Sequence, residues 1–437
     1  MPEHWSASYL GFECSVKARL GWKGLKAEEY VDDGYVFLAT PNIKDSEIDF
    51  SNVNRITKER YDESPEIMLE KGDVLVTKDG STTGTTNIIK MLPEPATVNS
   101  SIAVLRSNGN IISEYLYYFF VSEYTQNLIN RMRGGMGVPH LFQADLRKFD
   151  ILIPAKQEQK VIANFLDHET AKIDTLIEKQ KQLIHLLKEK RQAVISRAVT
   201  KGLIPNIEMR DSGVEWIGEV PKHWKVSKFG YVSMVVRGGS PRPAGDPALF
   251  NGDYSPWVTV AEITKDDEVY LTQTETFLTR KGSEQCRVFS SGTLLISNSG
   301  ATLGVPKILS IDANANDGVV GFENLKLDRE FCYFYLSVLT EDLRERIKQG
   351  SGQPNLNTDI VKNVAIPIPP ENEVTEIVAL IRNTRNQYAN LMARASAGIE
   401  LLQERRTALI SAAVTGKIDV RNWVAPEEAQ TNKEVAA

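Results

Sequence analysis

The chain has 437 residues, of which 42% are hydrophobic and 25% charged, and this ordinary globular composition excludes disorder, collagen and a disulfide scaffold. Its 51 Lys+Arg against 57 Asp+Glu give a net charge of −6, which argues against a nonspecific nucleic-acid coater but not against a local DNA-binding surface. No apolar run approaches the roughly 18 to 20 residues of a membrane span, the N-terminus lacks a signal-peptide layout, and Cys14, Cys286 and Cys332 form no Cys-x-x-Cys pair. A cytoplasmic chain with buried thiols is therefore expected.

In chain order, residues 1–154 have mixed patterning. Short apolar runs such as Asp73–Val76 sit between Gly, Ser, Thr and Asn turns and read as strands. Ser113–Met132 reads as an amphipathic helix. Residues 155–204 form a long helix: 157–200 contain no Pro or Gly and abound in Ala, Leu, Lys, Glu and Gln. Its apolar stripe is Ile162, Phe165, Ile173, Leu176, Leu183, Leu187 and Val194. Residues 205–369 repeat the mixed pattern, with a strand at Thr293–Ile296 and a helix at Glu330–Lys348. A second long helix occupies 370–420, with Ile377, Leu380, Tyr388, Leu391, Leu402 and Leu409 on its stripe. The tail, 421–437, is polar and expected to be disordered.

The chain is built twice. A shift of 215 residues lays LLKEKRQAVISRAVT (186–200) on LLQERRTALISAAVT (401–415), with ten of fifteen positions identical and no gap. His4-Trp5 answers His223-Trp224, Gly80 and Gly84 answer Gly300 and Gly304, and Leu141 answers Leu356. The period is too long for a solenoid unit and reads as duplication of a domain plus a helix. Each helix, at about 1.5 Å per residue, needs a partner for its stripe. The expected fold is α+β: two domains and two long helices in an antiparallel coiled coil, the halves related by an approximate two-fold.

Self-contained chemistry is missing from the motifs. There is no Walker phosphate loop, no G-x-G-x-x-G after a strand, no H-E-x-x-H and no G-x-S-x-G. His4 and His223, equivalent to each other beside tryptophans, read as structural. What remains suggests reading or docking. Each half has a Gly-punctuated loop after a strand, carrying Lys78, Ser81, Thr82 and Thr83 in one half and Asn298, Ser299 and Thr302 in the other. Glycines let backbone approach a ligand, and hydroxyl and amide groups contact phosphates or base edges. A second loop follows each domain helix, with Arg131, Arg133, His140 and Gln143, or Lys348, Gln353, Asn355 and Asn357. Arg, Gln and Asn are the side chains suited to bidentate base contacts. Two acid-free runs, 17–26 and 221–245, add Lys17, Arg19, Lys23, Arg237 and Arg242 as phosphate-facing candidates. A shared glycine frame with divergent polar tips suits two readers of different sequences.

These features resemble the specificity subunits of type I restriction-modification systems. The resemblance spans nearly the whole chain and rests on MRDSGVEWIGEVPKHWKV (209–226), the paired GDVLVTKDGSTTG (72–84) and GTLLISNSGATLG (292–304), ARLGWKGLKAEEY (18–30) and the repeated EKRQAVISRAVTKG helix. It implies two target-recognition domains, each reading half of a split DNA site, and helices that set the gap. It implies docking of two methyltransferase subunits that bind S-adenosylmethionine, and of translocase-nuclease subunits that use ATP and magnesium. This chain would be non-catalytic and hold no cofactor or metal. One departure stands out: the segment Glu208–Val220 before the second His-Trp has no counterpart before the first. Two other readings stay open on the residues alone, a two-domain protein-binding adaptor and an enzyme too divergent for motif reading.

Overall fold

In the computed structural model, residues 2–20, 25–132, 140–300, 302–347 and 355–425 are described. The chain divides into two compact units, Met1–Lys181 with Ser396–Ala437, and Gln182–Ala395. The long helices Lys156–Lys201 and Glu371–Val414 each contribute residues to both.

Unit one is built on a four-stranded antiparallel sheet in the order Cys14–Lys17, Ile102–Ser107, Val74–Thr77, Thr86–Ile88. The run Val74–Thr77 is buried throughout because it is covered on both faces, so it shows no alternation. A three-stranded sheet, Asn54–Ile56, Tyr35–Leu38 and Ala96–Val98, packs behind it. Unit two repeats the plan. Met234–Arg237, Val319–Glu323, Leu294–Ser297 and Pro306–Leu309 follow the same order, with Tyr270–Leu271 added at the edge. Both domains close the same way. Ser6–Tyr9 pairs antiparallel with Asp150–Ile153, and Lys225–Lys228 with Ala365–Ile368.

The expected helix over 113–132 is interrupted. It forms as Ser113–Val121 and Glu123–Met132, because Ser122 takes an extended conformation. Its counterpart runs unbroken over Arg329–Asp342 and ends in a π-helical turn, Leu343–Ile347.

The long helices pack antiparallel within each unit. In unit one, Ile162 and Leu166 share a core with Ile410 and Val414, and further along Arg406 Nε meets Asp174 Oδ1 at 3.0 Å. In unit two, Ile195 and Val199 share a core with Ile377 and Ile381. The sequence stripe only partly coincides with the buried face. Ile162, Ile173 and Ile377 are buried, while Phe165, Leu187, Val194, Tyr388, Leu402 and Leu409 are half-buried. Leu176, Leu183, Leu380 and Leu391 are open to solvent, 39 to 47% exposed, and this corrects their placement on the seam. Ile177, one residue along from Leu176, is buried instead. A residue's side chain covers the turn N-terminal to its own Cα, so adjacent apolar residues compete for the seam and only one faces inward.

Each domain is fastened to the helices by one tryptophan. Trp5 Nε1 donates to Glu158 Oε1 at 3.0 Å, and His4 Nε2 lies 2.9 Å from Glu158 Oε2. Trp224 Nε1 donates to Glu373 Oε2 at 2.9 Å, with His223 Nε2 2.6 Å from Oε1. Glu158 and Glu373 lie in the first turns of the long helices. The six-membered ring of each indole meets the glycine ending the other helix. A Cβ on Gly202, at φ +72°, would come within 3.0 Å of Trp224 Cζ2. On Gly416, at φ +68°, it would strike the Pro2 ring and reach Trp5 Cη2 at 3.3 Å. The indole thus touches the start of one helix and the end of the other.

Glu373→Ala is expected to cost about 2 kcal/mol, because the buried indole N–H loses its acceptor. The unfolding midpoint of unit two should fall by about 5 °C in thermal denaturation. The exposed neighbour substitution Glu376→Ala should leave it within about 1 °C.

Candidate nucleic-acid interface

The two sequence-predicted loops of each domain come together, and they do so identically in both units. Leu141 N donates to Lys78 O at 2.9 Å, and Leu356 N to Asn298 O at 2.8 Å. The backbone bridges Asp79↔His140 and Ser299↔Asn355 extend these contacts. A third segment joins on the other side. Lys78 N donates to Ser101 O at 2.7 Å, and Asn298 N to Gly318 O at 2.9 Å. Each site is therefore a strand end gripped between two neighbouring segments.

Glycine makes the loop turn. Gly80 and Gly300 have φ +81° and +79°, Gly84 and Gly304 φ +95° and +86°, a region L side chains rarely adopt. A Cβ on Gly80 or Gly300 would meet nothing within 4 Å, so conformation and not space selects glycine there. The turn is tied internally by the strand-end hydroxyl: Thr77 Oγ1 donates to Thr82 O, and Ser297 Oγ to Thr302 O.

The candidate residues divide by exposure. Lys17, Ser81, Thr82, Arg131, His140, Arg237, Arg242 and Thr302 reach solvent, and Gln143, Ser299 and Asn355 are half-buried. Lys17 and Arg237 lie on corresponding edge strands of the two sheets but one row apart, opposite Val104 and Val320. Arg237 Nε donates to Asp317 O at 2.6 Å, which holds it beside the segment that grips Asn298. The cation run 221–245 splits. Lys225 and Lys228 lie on the strand that closes the domain, and Lys222 pairs with Glu208, whereas Arg237 and Arg242 follow the sheet.

Four expectations are corrected by burial or by internal bonding. Arg19 is 2% exposed: its guanidinium donates to Val98 O at 3.2 Å and stands over the Phe37 ring, fixing the strand and not a phosphate. The Thr83 hydroxyl is turned inward to Gly80 O at 2.7 Å. Asn357 caps the helix Thr358–Asn363 by accepting from Ile360 N at 2.8 Å. Asn298 is fully buried, with neither amide atom bonded among the described residues, at the centre of its site. Lys23, Arg133, Lys348 and Gln353 lie outside the described residues, as does most of the tail.

Lys78 occupies the position of Asn298 in unit one and is also buried. Burial pushes its ammonium below the usual lysine range, opposed by the carboxylate of Asp79. That carboxylate is itself paired with His140 Nδ1. Asp79 was not among the sequence candidates, and its backbone bridge to His140 is the signal that brings it in. Phe142, 59% exposed, packs edge-on against the His140 ring at 4.3 Å. Site one thus holds a lysine, a carboxylate–imidazole pair and an aromatic face, while site two holds amides and hydroxyls on the same backbone. Among the described residues no His/Cys/Asp/Glu cluster is arranged to hold a metal ion, and no helix is long and apolar enough to cross a membrane.

A family model described as type I restriction modification DNA specificity domain matches residues 21–186 and 221–401. The type I restriction enzyme MjaVIII specificity subunit of Methanocaldococcus jannaschii is 23% identical over 97% of this chain and 95% of its own length. The EcoKI specificity subunit of Escherichia coli K12 is 23% identical over 86% of this chain and 81% of its own. Among solved structures, a chain from work on complex assembly and conformational transition of the type I R-M system superposes with a TM-score of 0.72. It is 17% identical, over 94% of this chain and 98% of that one. The HsdS subunit from Thermoanaerobacter tengcongensis gives 0.54 at 18% identity, over 96% and 98%.

Lys78→Met keeps the length of the side chain and removes a charge held in a desolvated place. The unfolding midpoint is expected to hold or rise, while the affinity of the chain for duplex DNA falls. A variant that loses stability instead would assign Lys78 to the scaffold.

Proposed function

Because the chain belongs to the type I restriction-modification DNA specificity family, we propose that it reads a DNA site split into two halves, one domain to each half. The observation that carries this reading is the pair of gripped loops, built on one backbone with unlike polar tips. A frame shared by the two units would fix how close a domain comes to the duplex, and the tips would choose the bases. Lys17 and Arg237, on corresponding strands, would hold the phosphates that set register. The long helices would act as the spacer, each up to about 70 Å at 1.5 Å per residue, and so fix the gap between half-sites.

The helices would also dock the methyltransferase subunits. The repeat favours this on its exposed positions. Leu176 and Leu391 are 47% and 46% exposed, and Leu186 and Leu401 54% and 65%. Each pair is separated by 215 residues, as are the exposed pairs Glu189 and Glu404, and Ala193 and Ala408. The fold does not require a solvated leucine at the same place twice. A partner that binds twice does, which gives two copies of one subunit per chain. S-adenosylmethionine would be bound by those subunits, and ATP and magnesium by translocase-nuclease subunits joining for cleavage; this chain supplies specificity and no catalysis.

Co-expression with its methyltransferase subunit, in a host lacking adenine methylation, tests the reading by modification-sensitive sequencing of the genome. One split motif with a fixed gap, methylated on both strands, is expected. A soluble complex that leaves the genome unmethylated would favour the adaptor reading. Lys17→Ala should lower the slope of log affinity against log salt by about one. Leu186→Asp and Leu401→Asp should each remove one of the two methyltransferase copies in native mass spectrometry, and the double variant both.

A further inference from the structure

A glycine loop at φ near +80° is shaped but not stiff, because glycine has more freedom to move than any other residue. Base discrimination requires the polar tips to be held in place, since a donor displaced by an ångström no longer makes a hydrogen bond. The last glycine of each loop is Gly84 or Gly304, and in both units a side chain from the domain helix is within hydrogen-bond distance of its carbonyl. In unit one Gln126 Nε2 donates to Gly84 O at 3.0 Å, and also to Phe120 O at 2.8 Å. In unit two Thr340 Oγ1 lies 3.0 Å from Gly304 O, and Arg344 Nε donates to the neighbouring Leu303 O at 2.8 Å.

These donors are not at equivalent positions. The 215-residue shift lays Gln126 on Glu341, an exposed residue whose carboxylate has no proton to give, and lays Thr340 on Thr125. Thr125 is buried and contacts Ser122 Oγ at 3.3 Å, not the loop. The contact has therefore been kept while the residue that makes it has moved by one position. Shared descent alone would have left the donor at one position. A requirement on the loop carbonyl accounts for the shift. The π-helical turn Leu343–Ile347 in unit two brings Arg344 to the same loop, and such turns recur at functional sites.

We propose that Gln126 in unit one, and Thr340 with Arg344 in unit two, are positioning residues for base discrimination: they touch no DNA and hold the reading loop by its backbone from behind. The proposal rests on the specificity reading above, and names what makes the two loops selective.

The test uses the full chain and duplexes carrying its site, as found by methylation mapping, with single-base changes in each half. Gln126→Met and Thr340→Val remove the donors that come from the helix, while Thr86 Oγ1 stays 3.0 Å from Gly84 O in unit one. Each should reduce discrimination against wrong bases by about tenfold, the worth of one hydrogen bond, in one half-site only, and the two variants should affect opposite halves. Thr340→Ser, which keeps the hydroxyl, should discriminate as the unsubstituted chain does. Arg344→Met should blur the same half as Thr340→Val and leave the salt slope unchanged. A slope lower by about one would make Arg344 a phosphate contact and overturn its positioning role. Thermal midpoints separate the proposal from simple loss of fold: a variant that unfolds early but discriminates normally counts against it. If the unsubstituted chain shows no sequence preference, the specificity reading itself falls. If it does and the donor variants keep that preference, only the loop brace falls.

Discussion

Everything in this molecule hangs on a buried indole at the foot of each domain. Trp5 and Trp224 each spend their one N–H on a glutamate in the first turn of a long helix, and each lays its ring edge on the glycine that ends the other. An indole is rigid, with two rotatable bonds, so it transmits position with little loss. The carboxylate is fixed in turn, since one oxygen takes the indole proton and the other faces the histidine ring. The chain terminates each helix with a residue at positive φ, where only glycine allows the ring so close. Reading domain and helices are thereby referred to one point, which is what a spacer needs if it is to fix a distance.

The two domains show how one backbone carries two unlike sets of polar tips. The sheet order, the domain-closing strand pair, the gripped strand end and the left-handed glycines are the same in both. The tips differ in kind. Lys78, Asp79 and His140 make site one ionic, while Asn298, Ser299 and Asn355 make site two neutral. A buried lysine and a buried unbonded asparagine are both costly to the fold. Their shared position at the centre of the grip marks it as a place where stability is given up for another purpose.

Much of this was legible in the sequence, because duplication supplies its own comparison. The 215-residue shift matches the helices and pairs Leu141 with Leu356, a shift of 220 matches the glycine loops, and the structure brings those loops together. The shift also lays Glu158 on Glu373, a signal for the histidine–tryptophan–glutamate lock that went unused. Leu176, Leu183, Leu380 and Leu391 lie off the helix seam, since apolarity alone does not separate a core-facing residue from a solvent-facing one. Arg19 illustrates the same limit for charge: nothing local distinguishes a guanidinium aimed at a phosphate from one folded onto Val98 O. The loop braces escaped because their donors sit at shifted positions, so a register comparison passes over them.

The closing strands carry a consequence for inheritance. Ser6–Tyr9 lies antiparallel to Asp150–Ile153, and Lys225–Lys228 to Ala365–Ile368, so the chain enters and leaves each domain through neighbouring strands. Main-chain hydrogen bonds make that doorway, and they are blind to side chains. A foreign stretch of gene bounded by the same two strands would deliver a new domain onto an unaltered tryptophan and unaltered helices. Recombination between such boundaries would exchange a whole domain in one event and leave both strand pairs intact.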